Sequence, residues 1–306
     1  MQLNTSRRYQ QHLREFLAEC EKFDRKLDLA QEIDAALVWY LTNLFLQGYD
    51  LSKGVYTVIG FEGMYPRYGK QGDLGLPRAH RALKGWRRLA PPRSRVGVVW
   101  YVVAGVAACL LRDNHFDMAA WVVMAHGCYL RPASCMTLRR RCLVSPIAGA
   151  TTCWAILLSA SQYQLRSKTG TSDDSVFWDV KGLEWFKEIL AALAVGNPDE
   201  KVWNFDYREL SIDIKKASNL IGVPFVPYML RHSGPSWDRM KNYRTLQEIQ
   251  KRGLWESHKS VARYEQGARS GSEYKKIDQK MREWLEDRAA QLADHFLLNK
   301  KVPAPP

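Results

Sequence analysis

Sixteen consecutive residues from Val96 to Leu111, VGVVWYVVAGVAACLL, carry no charge, and Arg112-Asp113 ends the run. A helix that crosses a bilayer needs about 20 apolar residues, so this run reads as a helix buried in the core of a folded domain. A second apolar stretch, about 115 to 128, follows directly and reads as its partner. Ahead of them, Ala90-Pro91-Pro92-Arg93-Ser94-Arg95 has the composition of a stiff, basic interdomain linker.

At 306 residues the chain has room for two domains of ordinary size, each with its own core. The 45 Lys and Arg against 32 Asp and Glu give a formal charge of +13. An acidic polymer is therefore the expected partner, nucleic acid first and a membrane surface second. The six cysteines contain no C-x-x-C pair and no His-x-x-x-His partner. That points away from a zinc or redox centre and toward reduced, buried thiols of an intracellular protein. Residues 1 to 20 are too polar for a secretory signal peptide.

Before the linker, helical spacing runs through 5 to 22 and 31 to 47, and Gly48 closes the second helix. A third helix is expected after Ser52, which can cap it, and a Gly/Tyr/Pro-rich loop from Gly63 to Gly75 leads to LPRAHRALKGWRRL. In that fourth helix Arg78, Arg81 and Arg88 share a face with Lys84 and Arg87 flanking, and Leu83, Trp86 and Leu89 supply the apolar side. A basic stripe is more often a solvated face than a DNA contact. Here Arg93 and Arg95 of the linker continue it, which makes Arg78, Arg81, Lys84, Arg88, Arg93 and Arg95 the candidate DNA-binding set.

The chemistry concentrates between Tyr228 and Tyr264. This stretch holds Tyr228-x-x-Arg231-His232, a polar helix, a Gly253-Leu254-Trp255 turn and a tyrosine nine positions after that tryptophan. Cutting a phosphodiester with a side-chain hydroxyl places extra negative charge on two non-bridging oxygens, and a planar guanidinium such as Arg231 offers paired N–H donors that match them. A tyrosine hydroxyl is a weak nucleophile until cationic neighbours lower its proton affinity, and Tyr264 follows Lys259 and Arg263. Singly, an Arg-His pair and a tyrosine on amphipathic helices are ordinary residues. Upstream stand His126-Gly127-Cys128-Tyr129-Leu130-Arg131-Pro132-Ala133-Ser134 at an expected helix start. Two β-prone runs, 151 to 165 and 175 to 178, flank a Ser167-Lys168-Thr169-Gly170 turn and read as a hairpin.

In this order the strings resemble the active-site motifs of the tyrosine recombinases, also called the phage integrase family. The wording around Arg231-His232-Ser233-Gly234 and Arg252-Gly253-Leu254-Trp255 looks more like recombinases of eukaryotic mobile elements than bacterial integrases. The resemblance implies a mainly α fold with a small antiparallel β-sheet: an N-terminal four-helix SAM-like core-binding domain over 1–90, a basic linker over 91–95 and a catalytic domain over 96–266. Residues 267–306 would form a Gly/Ser-rich break and a C-terminal helix, which either folds back on its own domain or docks onto a neighbouring protomer. It further implies that Arg131 and Arg231 hold the scissile phosphate and Lys168 protonates the departing 5′ oxygen. Tyr228 stands where the family prefers His, Trp255 binds phosphate and packs the Tyr264 helix, and Tyr264 attacks. Ser134 stands where most of the family has Glu, so a bracing carboxylate is absent or comes from elsewhere.

The implied activity is cutting and rejoining of double-stranded DNA through a 3′-phosphotyrosyl link, with no metal, cofactor or ATP and no membrane. Paired exchange would use a homo-tetramer on two duplexes. A type IB topoisomerase-like relaxing activity and a catalytically inactive DNA-binding remnant of a mobile element are the alternatives. The expected location is intracellular: the nucleus in a eukaryotic host, where Arg139-Arg140-Arg141 would be a short import signal, and otherwise the cytoplasm or nucleoid.

Overall fold

The computed structural model describes residues 3–91, 97–158, 175–265 and 267–306. Lys168, Arg93, Arg95 and the expected hairpin tip lie outside the described residues. The chain divides into two compact units, Met1–Ser94 and Arg95–Pro306.

The first unit contains α1 (Leu3–Lys22), α2 (Ala30–Leu46), α3 (Leu51–Met64), a 3-10 turn at Pro66–Tyr68 and α4 (Pro77–Leu89). Their apolar stripes converge on Phe16, Leu37, Leu41, Val58 and Phe61, with α1 against α3 and α2 against α4. Asp50 rather than Ser52 caps α3: its carboxylate accepts the Ser52 N–H at 2.8 Å. The basic helix α4 begins with Pro77 and has no cap of its own. Asp34, buried in α2, supplies it across space, accepting the N–H groups of Arg78 (3.0 Å) and Ala79 (2.8 Å). That fixes the start of α4, whose Leu83 and Trp86 are buried while Arg78, Arg81, Lys84, Arg87 and Arg88 are exposed. Leu89 departs from the expected apolar side, because it stands 76% exposed at the last turn.

In the second unit the uncharged run forms α5 (Trp100–Arg112), packed on α6 (Phe116–Gly127), and both are buried nearly throughout. Next come α7 (Pro132–Met136), then β1 (Leu143–Val144), β2 (Ala155–Leu157) and β3 (Ser175–Phe177). The strands form an antiparallel sheet in that order, with Leu143 opposite Ile156 and Ile156 opposite Val176. Helices α8 (Phe186–Ala194) and α9 (Tyr207–Leu220) follow, then a 3-10 turn at Pro227–Met229 leading into α10 (Leu230–Met240). The remainder is α11 (Leu246–Arg252), α12 (His258–Val261), a 3-10 turn at Ala262–Glu265, α13 (Gly267–Lys275) and α14 (Gln279–Leu297).

Two expectations need correction, and one left open is decided for this chain. The polar helix after Tyr228 is two helices, α10 and α11, because Thr245 starts a new one by accepting the N–H of Glu248 while the Glu248 carboxylate accepts the Thr245 N–H. The Gly/Ser-rich segment from Gly267 is helical rather than a break, since α13 packs on α10 and buries Ser270, and that contact overrides weak propensity. The C-terminal helix folds back on its own unit: α14 packs along α5, where Leu285 sits so close to Gly105 that a Cβ there would lie 2.2 Å from a Leu285 methyl. Among the described residues no helix is long and apolar enough to cross a membrane. Arg139 donates to the Asp199 carbonyl, Arg140 donates to the Leu193 carbonyl at 2.6 Å, and Arg141 pairs with Asp199.

Candidate active site

Helix α10 organises the site. It packs against α6, α13 and the 3-10 turn that carries Tyr264, and it presents Arg231 and His232 from its first turn. Gly234 permits this approach, since a Cβ there would lie 2.1 Å from the His126 carbonyl oxygen on α6.

Arg231 is 5% exposed. Its guanidinium donates to the carbonyl of Tyr129 and, at 2.6 Å, to that of Gly253, so it ties together the turns before α7 and after α11. Both turns are tight: Tyr129 has φ +53° and Leu254 φ +52°, left-handed backbone held by the surrounding contacts. The Trp255 ring covers the guanidinium at 4.4 Å and lies 5.2 Å from the ring of Tyr264. Arg131 is the residue immediately before α7, partly exposed, and among the described residues it forms no ion pair. Burial, and secondarily the Arg131 charge, bring the Arg231 pKa down to about 10. It remains protonated at neutral pH, and among the described residues neither arginine has a carboxylate to answer it. Two cations close enough to repel each other, one of them desolvated, favour an anion beside them.

Tyr264 is 2% exposed. Burial pushes its hydroxyl up to about 12, against the opposing pull of Arg231 and Arg263. The hydroxyl is 3.0 Å from Nδ1 of His232. Tyr228, in the 3-10 turn, is 38% exposed and meets the His232 ring edge-on at 5.4 Å. Of the six catalytic candidates, Arg131, Tyr228, Arg231, Trp255 and Tyr264 therefore converge, and Lys168 lies outside the described residues. His232 enters the sequence motif only as half of an Arg-His pair, with no task of its own. Its contact with Tyr264 spans 32 positions, which local spacing does not reveal.

Beneath this layer runs a polar network that the motifs also did not disclose. The Tyr129 hydroxyl and Arg244 both donate to the buried carboxylate of Asp238. Arg244 also reaches Asp179 at 2.8 Å, and Arg252 links Asp179 to the Gly127 carbonyl. Ser134 is no substitute for a carboxylate; the buried acid in this network is Asp238, which accepts from the Tyr129 hydroxyl.

By sequence the chain matches no protein-family model and no curated protein. By structure it is similar to the XerH site-specific recombinase bound to its difH substrate in a pre-cleavage complex, with a TM-score of 0.51 at 13% identity. The match covers 76% of this chain and 66% of that one, slightly under two thirds of its length. A post-cleavage complex of XerH on a palindromic difH substrate gives the same TM-score at 14% identity, over 80% of this chain and 72% of that one. The chain has the tyrosine recombinase fold. Within that recombinase fold, mainly helical with its small antiparallel sheet, the convergent residues lie where α7, α10 and the Tyr264 turn come together.

Proposed function

We propose that the chain is a site-specific DNA recombinase of the tyrosine type. The observation that carries this reading is the meeting of a buried tyrosine hydroxyl with two arginines that, among the described residues, lack a carboxylate counter-charge. A scissile phosphate would supply the missing negative charge, and its charge grows in the transition state, where paired guanidinium donors act most strongly. Tyr264 would attack, Arg131 and Arg231 would hold the phosphate, Trp255 would hold Arg231 and Tyr264 in register, and Lys168 would protonate the departing 5′ oxygen. The phosphodiester energy is kept in the 3′-phosphotyrosyl link, so rejoining needs no ATP, and the scheme assigns no step to a metal. The first unit would clamp double-stranded DNA through Arg78, Arg81, Lys84 and Arg88, with Arg93 and Arg95 continuing the track. Exchange between duplexes would require a homo-tetramer. DNA as partner is also what the XerH complexes contain.

The test is covalent trapping. Nicked duplexes from the flanks of the protein's own gene are incubated with wild type and with Tyr264→Phe, with and without chelator, then denatured. Protein-linked DNA from wild type, lost in the variant and indifferent to chelator, is the expected result. An adduct that survives the substitution would overturn Tyr264 as nucleophile. One observation favours the inactive remnant: Tyr264 is almost wholly buried, so DNA must open the site before attack. Duplex binding without any adduct would support that reading, and adducts without site preference would support a relaxing enzyme.

A further inference from the structure

In the proposed reaction the Tyr264 oxygen must shed a proton as it attacks phosphorus. Burial makes that proton hard to remove, and Arg231 with Arg263 offsets the effect only in part. Some group must receive it. Tyr228 occupies the place where the family prefers an imidazole, and a phenol is a poor proton carrier near neutral pH. The imidazole this chain does provide is one helical turn further on: His232 meets Tyr228 edge-on and has its Nδ1 3.0 Å from the Tyr264 hydroxyl.

We infer that His232 is the general base for Tyr264, in a site where a tyrosine, Tyr228, stands at the position four residues earlier that the family prefers to fill with His. This inference rests on the reading of Tyr264 as nucleophile. The neutral imidazole, protonated at Nε2, takes the Tyr264 proton on Nδ1 as the phenolic oxygen forms its bond to phosphorus. The P–O5′ bond breaks, and the leaving oxygen takes its proton from the separate acid. The products are a 3′-phosphotyrosyl ester, an imidazolium and a free 5′ hydroxyl. In rejoining, the imidazolium returns the proton to the departing tyrosine oxygen. Geometry favours the assignment, because the separation is already within the range for proton transfer and the acceptor sits on the same helix turn as the phosphate-binding Arg231. Tyr228 then has a different task, closing the outer face of the imidazole and holding its tilt.

Two measurements on the whole chain test this. Nitrogen-15 histidine spectra at neutral pH, with the His232 signals assigned by their loss in His232→Asn, should show Nδ1 without a proton and accepting a hydrogen bond, and the signal should move in Tyr264→Phe. A protonated Nδ1, or one indifferent to Tyr264→Phe, overturns the inference. Single-turnover adduct formation on the nicked flank duplexes is compared in wild type, His232→Asn and His232→Ala, with thermal unfolding as the folding control. Asn keeps an acceptor near the Nδ1 position but cannot carry the proton, so a slowing of about 10² to 10⁴ is expected in both variants. Wild-type rates in His232→Asn would overturn the inference while leaving the nucleophile in place. Absence of any wild-type adduct, or survival of the adduct in Tyr264→Phe, would overturn the underlying reading and this assignment with it.

Discussion

Arg231 and Trp255 form a stacked pair, the guanidinium carbon 4.4 Å from the centroid of the indole ring, and the same indole lies 5.2 Å from the ring of Tyr264. The tryptophan thus sets the distance between the proposed clamp and the proposed nucleophile. Cation–π contact contributes about 0.5 to 2 kcal/mol, with more for a desolvated cation. Trp255→Ala should therefore lower the adduct-forming rate at least about tenfold, while Trp255→Phe, which keeps a ring in the slot, should remain within a few-fold of wild type. Equal rates in the Ala and Phe variants would show that the stack positions nothing.

The two arginines should separate cleanly by stability. Arg231 satisfies two backbone carbonyls in tight turns, and leaving each unpaired costs about 1 to 3 kcal/mol. Arg231→Ala should lower the unfolding temperature as well as abolish cleavage. Arg131 makes no ion pair among the described residues and repels Arg231. Arg131→Ala should abolish cleavage while leaving stability within about 0.5 kcal/mol of wild type, or above it. Denaturant titration of both variants decides the point, and a strongly destabilised Arg131→Ala would contradict the described environment.

Gly85 lies inside α4 on the side where Arg81, Lys84 and Arg88 are exposed, and a Cβ built there meets nothing within 4 Å. A glycine in a helix interior costs about 1 kcal/mol relative to alanine, and no packing among the described residues explains it. A bare patch amid cations would let a duplex backbone come close, as the proposed clamping by α4 requires. Gly85→Ala should stabilise the first unit by up to about 1 kcal/mol yet weaken binding to random-sequence duplex at low salt. Unchanged DNA affinity would remove that explanation for the glycine.

His126 is fully buried against Trp100, and burial brings its pKa down to about 3 from the ordinary 6.5. Between those values the unfolded chain binds a proton that the folded chain refuses, so stability falls as pH drops below 6.5. The limiting slope is about 1.4 kcal/mol per pH unit. His126→Leu removes that dependence. Unfolding free energies at pH 7 and pH 5 should differ less in the variant than in wild type; equal differences would place the acid sensitivity elsewhere.

The features legible in the sequence are those that are local or strongly patterned. The uncharged run forms α5 from Trp100 onward because only burial could cover so much apolar surface, and the order of Arg131, Arg231, Trp255 and Tyr264 carries into the fold because each motif stays within a few residues of its element. Other features depend on distant partners. Strand β1 is two residues long, too short to show alternation. Helix α13 runs through Gly267 and Gly271, which argue locally against a helix, and exists because α10 receives it. Asp238, Arg244, Asp179 and Arg252 are ordinary apart and become a network only when α6, α10 and α11 meet. The His232 to Tyr264 contact belongs to the same kind: two named residues whose relation is tertiary.

The embrace of α5 by α14 also has a meaning for biosynthesis. The ribosome delivers α5 first among the helices of its unit and α14 last, so the flank of α5 around Gly105 emerges long before Leu285 is available to cover it. Until then the nascent chain carries a large oily surface with no native partner. The unit can therefore complete its core only once α14 has emerged, and a chain truncated anywhere upstream of α14 would be a sticky fragment needing chaperone or protease attention.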